Sequence, residues 1–120
     1  MNGLSRAFVF VQLLLLAAAL AFGQTSSATL VGDVTDATGA FIPGADVTVT
    51  NTATGVSRTV ATGPSGAYRV YPVNPGRYNI SVTSAGFKTK IQNNVAVEVG
   101  STVKVDFSLE LGQVSETVEV

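Results

Sequence analysis

The stretch TGPSGAYRVYPVNPGRYNISV, residues 62–82, decides the fold. Two clusters of turn-forming residues, 63–66 and 74–76, separate segments in which apolar and polar residues alternate. Glycine permits positive φ and proline holds φ at about −65°, so each cluster interrupts the extended chain. Period-two alternation is typical of strands that bury one face, and it predicts an antiparallel pair here. The predicted buried face carries Tyr68, Val70, Tyr78, Ile80 and Val82.

The same alternation recurs on both sides of this stretch. Turn clusters separate the alternating segments at intervals close to the roughly 8–12 residues expected of a β-sandwich, and Asn93-Asn94 is one of them. No segment after the first 23 residues has a helical pattern. We therefore predict an all-β, seven-stranded antiparallel sandwich in two sheets. The further alternating segments are residues 30–35, 47–50, 95–99 and 103–111, the last of which is the longest.

The first 23 residues have the three-part pattern of a signal peptide. Arg6 is the only charge before an apolar run that begins at Ala7, and small residues stand at the −3 and −1 positions of a cut between Gly23 and Gln24. The alternative is an uncleaved membrane anchor. The apolar run is shorter than the roughly 20 residues that a helix needs to cross the hydrocarbon core. We therefore expect a signal-peptide helix that is cleaved after Gly23.

Composition excludes several classes of function. Of seven basic residues, removal of Arg6 leaves six against eight acidic ones, a net charge of −2, and the six are scattered. Binding to nucleic acid through phosphate neutralisation is therefore not expected. The chain has no Cys and no His, which removes disulfides, thiolate metal sites and the usual nucleophile–base pairs. We predict no catalytic residue, no cofactor and no metal, and hence no enzyme.

Asp33 and Asp36 are the closest acidic pair outside the C-terminal tail. One interpretation is a calcium site, although calcium takes about six to eight oxygen ligands. The other, which we favour, is a solvated turn in which Asp36 accepts hydrogen bonds from its own backbone.

Tyr71 is the candidate for a surface binding residue. Alternation places it opposite the buried face of its strand, and Phe41 in a loop is a second aromatic that could assist it. Sugar sites commonly use such exposed aromatic side chains. The alternative is an isolated surface aromatic, which needs no functional explanation.

The turn motifs resemble those of the carboxypeptidase regulatory-like domain. The similar stretches are 32–36, 39–40, 42–49, 62–68, 75–82 and 85–87, followed by a Val-rich strand, Gly100 and residues 103–111. The resemblance implies a transthyretin-like, or prealbumin-like, sandwich over residues 28–111, after a short linker at 24–27. In that fold Phe87 would close the open end of the sandwich, and Tyr68, Tyr78, Phe87 and Phe107 would be core. The hydroxyisourate hydrolases share the fold, but their histidines and C-terminal Tyr-Arg-Gly-Ser are missing here.

The leader, the domain and the tail together resemble the start of an Oar-like TonB-dependent receptor. In such receptors this sandwich is a periplasmic extension that precedes a plug and an outer-membrane barrel. The extended tail, residues 112–120, ends in a segment similar to a TonB box, which pairs with its partner by strand addition. The alternative for this segment is an eighth strand or a frayed linker. The segment consists of Glu116, Thr117, Val118, Glu119 and Val120.

This resemblance implies a location and partners. We expect an exported protein in the periplasm or outer membrane of a Gram-negative bacterium, either a fragment of a longer receptor or a free-standing secreted module. A protein partner is expected, namely the receptor's own plug and barrel or a periplasmic TonB-type protein. Carbohydrate is the alternative ligand. Membrane contact is expected only through the leader or through the barrel of a longer receptor.

Overall fold

Two β-sheets pack face to face in the computed structural model, which describes residues 3–22 and 27–112. One sheet has the order β4-β1-β7, with β8 also paired to β1, and the other has the order β3-β2-β5-β6. The helix α1 spans Gly3–Phe22. The strands are β1 (Ala28–Asp36), β2 (Asp46–Asn51), β3 (Ser57–Ala61), β4 (Ala67–Val73), β5 (Gly76–Thr83), β6 (Lys90–Val97), β7 (Thr102–Lys104) and β8 (Phe107–Leu109).

The two-sheet, all-β architecture predicted from the sequence is confirmed. The inward positions of the alternating segments form one core between the sheets, which is the reason for the alternation. Each fully buried aliphatic side chain contributes about 1.5–3 kcal/mol to folding. The largest fully buried side chains are Leu30, Val34, Val47, Val70, Ile80, Val82 and Leu109.

The aromatic residues predicted to be core lie against it. Tyr68, Tyr78 and Phe107 are buried, and Phe87 is partly buried where it bridges Leu111 at one end of the sandwich. Tyr68 and Phe107 also contact each other, with ring centroids 6.5 Å apart.

The pairing of β1 departs from the predicted all-antiparallel arrangement. β1 is antiparallel to β4 but parallel to β7 and β8, with Leu30 opposite Val103 and Val34 opposite Phe107. The last strands follow β6, which ends where β1 begins, so they enter their sheet at the start of β1 and run beside it in the same direction.

Two local predictions were wrong. The segment 103–111, predicted as one strand, is divided into β7 and β8, and its last residue, Leu111, is exposed. Asn93-Asn94, predicted as a turn, lies inside β6, where Asn94 has a φ of 62° beside an irregularity in the β5–β6 register. β6 then ends at Val97, and Val99 is exposed.

Among the residues that the structure describes, no helix has the length and hydropathy required to span a membrane.

Gly32 marks a close approach in the centre of β1. An ideal Cβ at this position would overlap the carbonyl oxygen of Val105 and would lie 2.6 Å from the ring carbon Cε2 of Tyr68. One of these neighbours is backbone, which cannot move without disturbing the sheet. The Tyr68 ring therefore occupies the space that a side chain on β1 would need.

We expect Gly32→Ala to lower the free energy of unfolding by about 3 kcal/mol, because it overpacks the core against backbone. Chemical denaturation of the full chain would measure the change. Gly63→Ala is the matched control, because Gly63 has an ordinary φ and the nearest atom to its added Cβ is the Ala67 carbonyl oxygen at 3.8 Å. Its effect should stay within about 1 kcal/mol. Equal effects of the two substitutions would contradict the close approach.

Candidate functional site

Two hairpin turns lie together at one end of the sandwich, here called the hairpin end. One turn, residues 52–56, joins β2 to β3, and the other, residues 74–75, joins β4 to β5. β2 and β5 are neighbours in the same sheet, with Asn51 opposite Tyr78, so the end of β2 and the start of β5 coincide. The pairing between strands therefore brings together two turns that are 18 residues or more apart in the chain.

Asn51 orders the first of these turns. Its side-chain oxygen Oδ1 accepts hydrogen bonds from the backbone N–H groups of Ala53 and Thr54, at 2.9 and 3.1 Å. Gly55 has a φ of 75° and donates its N–H to the Asn51 carbonyl oxygen at 2.8 Å. Because Oδ1 is occupied as an acceptor, the side-chain amide nitrogen of Asn51 is left as a donor.

A recess of about 440 Å³ opens between the sheets at the hairpin end. Its volume falls in the range of small-molecule sites, roughly 300–1,000 Å³. Apolar side chains alternate with hydroxyl and amide groups around it. We call it the hairpin-end recess, and it is lined by Val49, Asn51, Thr54, Val56, Ser57, Arg58, Pro72, Val73, Asn74 and Tyr78.

Arg58 has the inward parity of β3, but the residue is exposed, because it stands at the open rim between the two sheets. It is paired with Val49, which is buried, and it precedes the next inward residue, Val60, by two positions. β3 and β4 are edge strands on the same side of the sandwich. The Arg58 guanidinium crosses from one sheet to the other and donates a hydrogen bond from Nη2 to the Pro72 carbonyl oxygen.

Tyr78 forms part of the wall of the recess. The side chain is 7% exposed, and its hydroxyl donates a 2.6 Å hydrogen bond to the Asn74 carbonyl oxygen. This bond ties β5 to the turn that precedes it and fixes the ring beside the opening. The wall at this point is therefore rigid and largely apolar.

Tyr71 lies outside this recess. It is 54% exposed on the outer face of β4, and the Arg69 guanidinium carbon lies 5.1 Å from its ring centroid. Phe41 is equally exposed but lies beside Gly66, before the start of β4. Five residues of strand, about 16 Å, separate Gly66 from Tyr71. The structure does not bring the two aromatics together into one surface.

Asp33 and Asp36 have separate environments. Asp36 Oδ1 accepts hydrogen bonds from the Thr38 hydroxyl at 2.6 Å and from the N–H groups of Thr38 and Ala40 at 2.9 and 3.0 Å. These bonds, the Thr38 hydroxyl first, lower the pKa of the Asp36 carboxyl. This is the self-bonded turn that we favoured from the sequence. Within residues 3–22 and 27–112, no group of three or more metal-ligating side chains occurs.

Among the titratable groups of the described residues, the hydroxyl of Tyr68 is the most strongly perturbed. Its hydroxyl donates a 2.6 Å hydrogen bond to the Val105 carbonyl oxygen, and the residue is 3% exposed. Burial raises the pKa of Tyr68, and the charges of Asp106 and Asp33 raise it further. This hydroxyl is a structural donor on a buried residue, and it is not among the groups that line the hairpin-end recess.

Two sets of predicted site residues lie outside the described part of the chain. They are the cleavage site at Gly23 and Gln24 and the segment similar to a TonB box, Glu116, Thr117, Val118, Glu119 and Val120. Both remain predictions.

Arg58 and Asn51 were missed by the sequence reasoning. A signal was available for Arg58. It stands two positions before Val60 and therefore shares its inward parity, and a charged residue is seldom found at an inward position. For Asn51 the signal was its place before Ala53-Thr54-Gly55, which suits an amide that accepts from the following turn. Neither signal shows that the two residues line the same recess.

The sequence profile of the carboxypeptidase regulatory-like domain matches residues 29–110. No curated protein matches the chain significantly.

Solved structures share the fold at low identity. The TIE protein of Bacillus anthracis is 19% identical with a TM-score of 0.61, over 72% of this chain and 17% of that one. A candidate carbohydrate binding protein from Bacteroides uniformis is 20% identical with a TM-score of 0.59, over 71% and 42%. A cohesin–X-dockerin complex from Acetivibrio cellulolyticus is 19% identical with a TM-score of 0.56, over 68% and 56%.

This chain therefore spans only part of the first similar structures, from 17% to 56% of their length. Several dioxygenases also share the fold, at 10% to 16% identity. Because proteins with different activities have this architecture, the fold alone assigns no function to the chain.

We expect the stability of the protein to fall above about pH 10, the pKa of an unfolded tyrosine. The folded state retains the Tyr68 proton to higher pH, so the stabilisation is complete below pH 10 and is lost as the pH rises further. The free energy of unfolding should decrease by up to about 1.4 kcal/mol per pH unit. Denaturation between pH 7 and pH 11 would measure this slope.

Tyr68→Phe is the comparison that isolates the group. At pH 7 the variant should be less stable by about 1–2 kcal/mol, because the partly buried Val105 carbonyl loses its donor. Above pH 10 its slope should be smaller than that of the unsubstituted protein. Identical slopes would show that Tyr68 does not hold its proton in the folded state.

Proposed function

The chain belongs to the carboxypeptidase regulatory-like domain family, and on that basis we propose that it is a non-catalytic binding domain that forms the periplasmic N-terminal extension of an outer-membrane TonB-dependent receptor.

The direction of the strands is the observation that carries this proposal. β1 begins at the hairpin end, and β8, which runs parallel to it, ends beside Asp36 at the opposite end. Eight residues of extended chain, about 26 Å, separate Ala28 from Asp36. The chain that follows β8 therefore leaves the sandwich at the end opposite to the start of β1, so a plug and a barrel that follow would lie away from the N-terminal end of the domain.

The chemistry of the chain supports a role without catalysis. The chain has no His and no Cys, and the residues that line the hairpin-end recess include no Asp, Glu or Lys. General acid–base catalysis most often uses these side chains. Of the described carboxylates, Asp33, Asp106 and Glu110 form surface ion pairs, and Asp36 is engaged in its own turn.

Under this proposal residues 116–120 act as the contact with a TonB-type partner. Their alternation of valine and polar residues suits an extended segment that adds to the edge of a partner sheet. Backbone hydrogen bonds would supply the affinity of such a contact, and the valines would supply its register.

The second candidate is a free-standing secreted module that binds carbohydrate or another surface. The exposure of Tyr71, with the Arg69 guanidinium against its ring, is the observation that favours it. An aromatic ring that is fixed by a neighbouring cation offers a flat apolar face to a sugar.

The first proposal predicts where the protein is found. In fractionated native cells, an antibody against the sandwich should detect a band much larger than 120 residues in the outer membrane. A marker of each compartment provides the control for fractionation. A small band in the periplasm or the medium would contradict the receptor proposal and would support the free-standing module.

The second candidate predicts a Tyr71-dependent signal on a glycan array. Tyr71→Ala should reduce binding at least about tenfold, because it removes the apolar face that a sugar would cover, and burying a large apolar side chain contributes about 1.5–3 kcal/mol. Phe41→Ala is the matched control, since Phe41 is as exposed as Tyr71 but lies at the other end of the sandwich. A signal that both substitutions leave unchanged would remove the Tyr71 site.

A further inference from the structure

We propose that the hairpin-end recess binds a small organic carboxylate and that the Arg58 guanidinium is its charge partner. This site goes beyond the role proposed above, because an N-terminal extension needs no ligand pocket.

The charge of the recess points to an anion. Arg58 is the only charged residue among those that line it. Within residues 3–22 and 27–112, the ion pairs are Lys88–Glu110, Lys104–Asp33 and Lys104–Asp106, so no carboxylate of the described chain neutralises Arg58. A single positive charge without a partner matches a ligand with one negative charge.

The donors that remain on Arg58 suit a carboxylate. A guanidinium has five N–H donors in a planar fork, and one of those on Arg58 is used by the Pro72 carbonyl oxygen. The others have no partner in the described part of the chain. Arginine binds carboxylates through two parallel hydrogen bonds, which are about twice as strong as bonds between neutral groups.

Asn51 provides a second donor at the same recess. Its Oδ1 is held by the N–H groups of Ala53 and Thr54, so its amide nitrogen is the group that remains for a ligand. The hydroxyls are largely engaged with the protein, since Ser57 Oγ bonds Thr50 Oγ1 and Thr54 Oγ1 accepts from the Val56 N–H. The Asn74 side chain adds an amide with one acceptor oxygen and two N–H donors, so the free donors of the recess outnumber its free acceptors, which again favours an acceptor-rich ligand.

Apolar walls define the body that carries the carboxylate. Val49, Val73 and the Tyr78 ring are buried side chains that face the recess. A volume of about 440 Å³ accommodates one six-membered ring or one short branched chain, with space for water. The ligand is therefore expected to carry one carboxylate on a small body with at least one apolar face.

Two sources can supply this chemistry. A hexuronic acid has a carboxylate on a sugar ring whose C–H groups form an apolar face, and a branched aliphatic acid has the carboxylate on a wholly apolar body. The two arms of the experiment separate them, with D-galacturonate as one probe and 4-methylpentanoate as the other. D-galactose is the neutral control for the first probe, because it has the ring without the carboxylate.

The measurement is an NMR titration of the ¹⁵N-labelled full chain. At least one carboxylate should shift the side-chain signals of Arg58 Nε–H and Asn51 Nδ2–H₂ in a saturable manner. Arg58→Gln should weaken the affinity for that probe at least about tenfold, since hydrogen bonds to charged groups are among the stronger ones in proteins. Arg69→Gln is the matched control, because Arg69 lies outside the recess and should leave the affinity unchanged.

Asn51→Asp is a second variant, chosen so that a loss of binding can be distinguished from a loss of folding. An aspartate can still accept from the Ala53 and Thr54 N–H groups, so the turn is retained while a negative charge enters the recess. This variant should keep a dispersed spectrum and lose affinity at least about tenfold. The proposal is overturned if galactose binds as tightly as galacturonate and 4-methylpentanoate does not bind, if neither carboxylate gives a saturable shift, or if Arg69→Gln weakens binding as much as Arg58→Gln.

The outcome is independent of the fractionation experiment. A receptor extension with an empty recess, and a free-standing module with an occupied one, would each be recognised as such.

Discussion

The missing side chain at Gly32 is the constraint on which the first sheet depends. β1 is the central strand of that sheet, with β4 on one side and both β7 and β8 on the other. Because Gly32 has no Cβ, the Tyr68 ring crosses the strand at this point and its hydroxyl reaches the Val105 carbonyl oxygen. That carbonyl lies at the break between β7 and β8. At this break the side chain of Asp106 takes the place of a backbone acceptor, since its Oδ1 accepts a hydrogen bond from the Asp33 N–H at 2.9 Å.

This break explains which part of the fold could be predicted from the sequence. Alternation predicted the inward face of residues 103–109 correctly, because that face stays the same across the break. The division into two strands depends on Gly32 and Tyr68, which are more than 35 residues distant, and no local pattern contains it. Asn94 is a similar case: the amides indicated a backbone irregularity, but pairing with β5 and a bond to Asn79 Oδ1 hold the chain in the sheet instead of reversing it.

The surface features also differ in whether a local sequence pattern or a distant contact determines them. Tyr71 was predicted to face outward from its parity within β4 alone, and it is 54% exposed. The hairpin-end recess could not be predicted in this way, because it forms where the turn before β3 meets the turn after β4. That meeting requires the β2–β5 pairing and the packing of one sheet on the other. Parity does place Arg58 inward, but it does not indicate what the guanidinium faces.

Arg58 has two roles under this proposal: it links the two sheets of the sandwich, and it binds the ligand. A tie between the two sheets needs only one N–H, and the bond to the Pro72 carbonyl provides it. The same bond holds a long, flexible side chain in one orientation before any ligand arrives, so less rotamer entropy is lost on binding. The edge strands β3 and β4 thus keep an open seam in which a charge can face inward and still reach solvent.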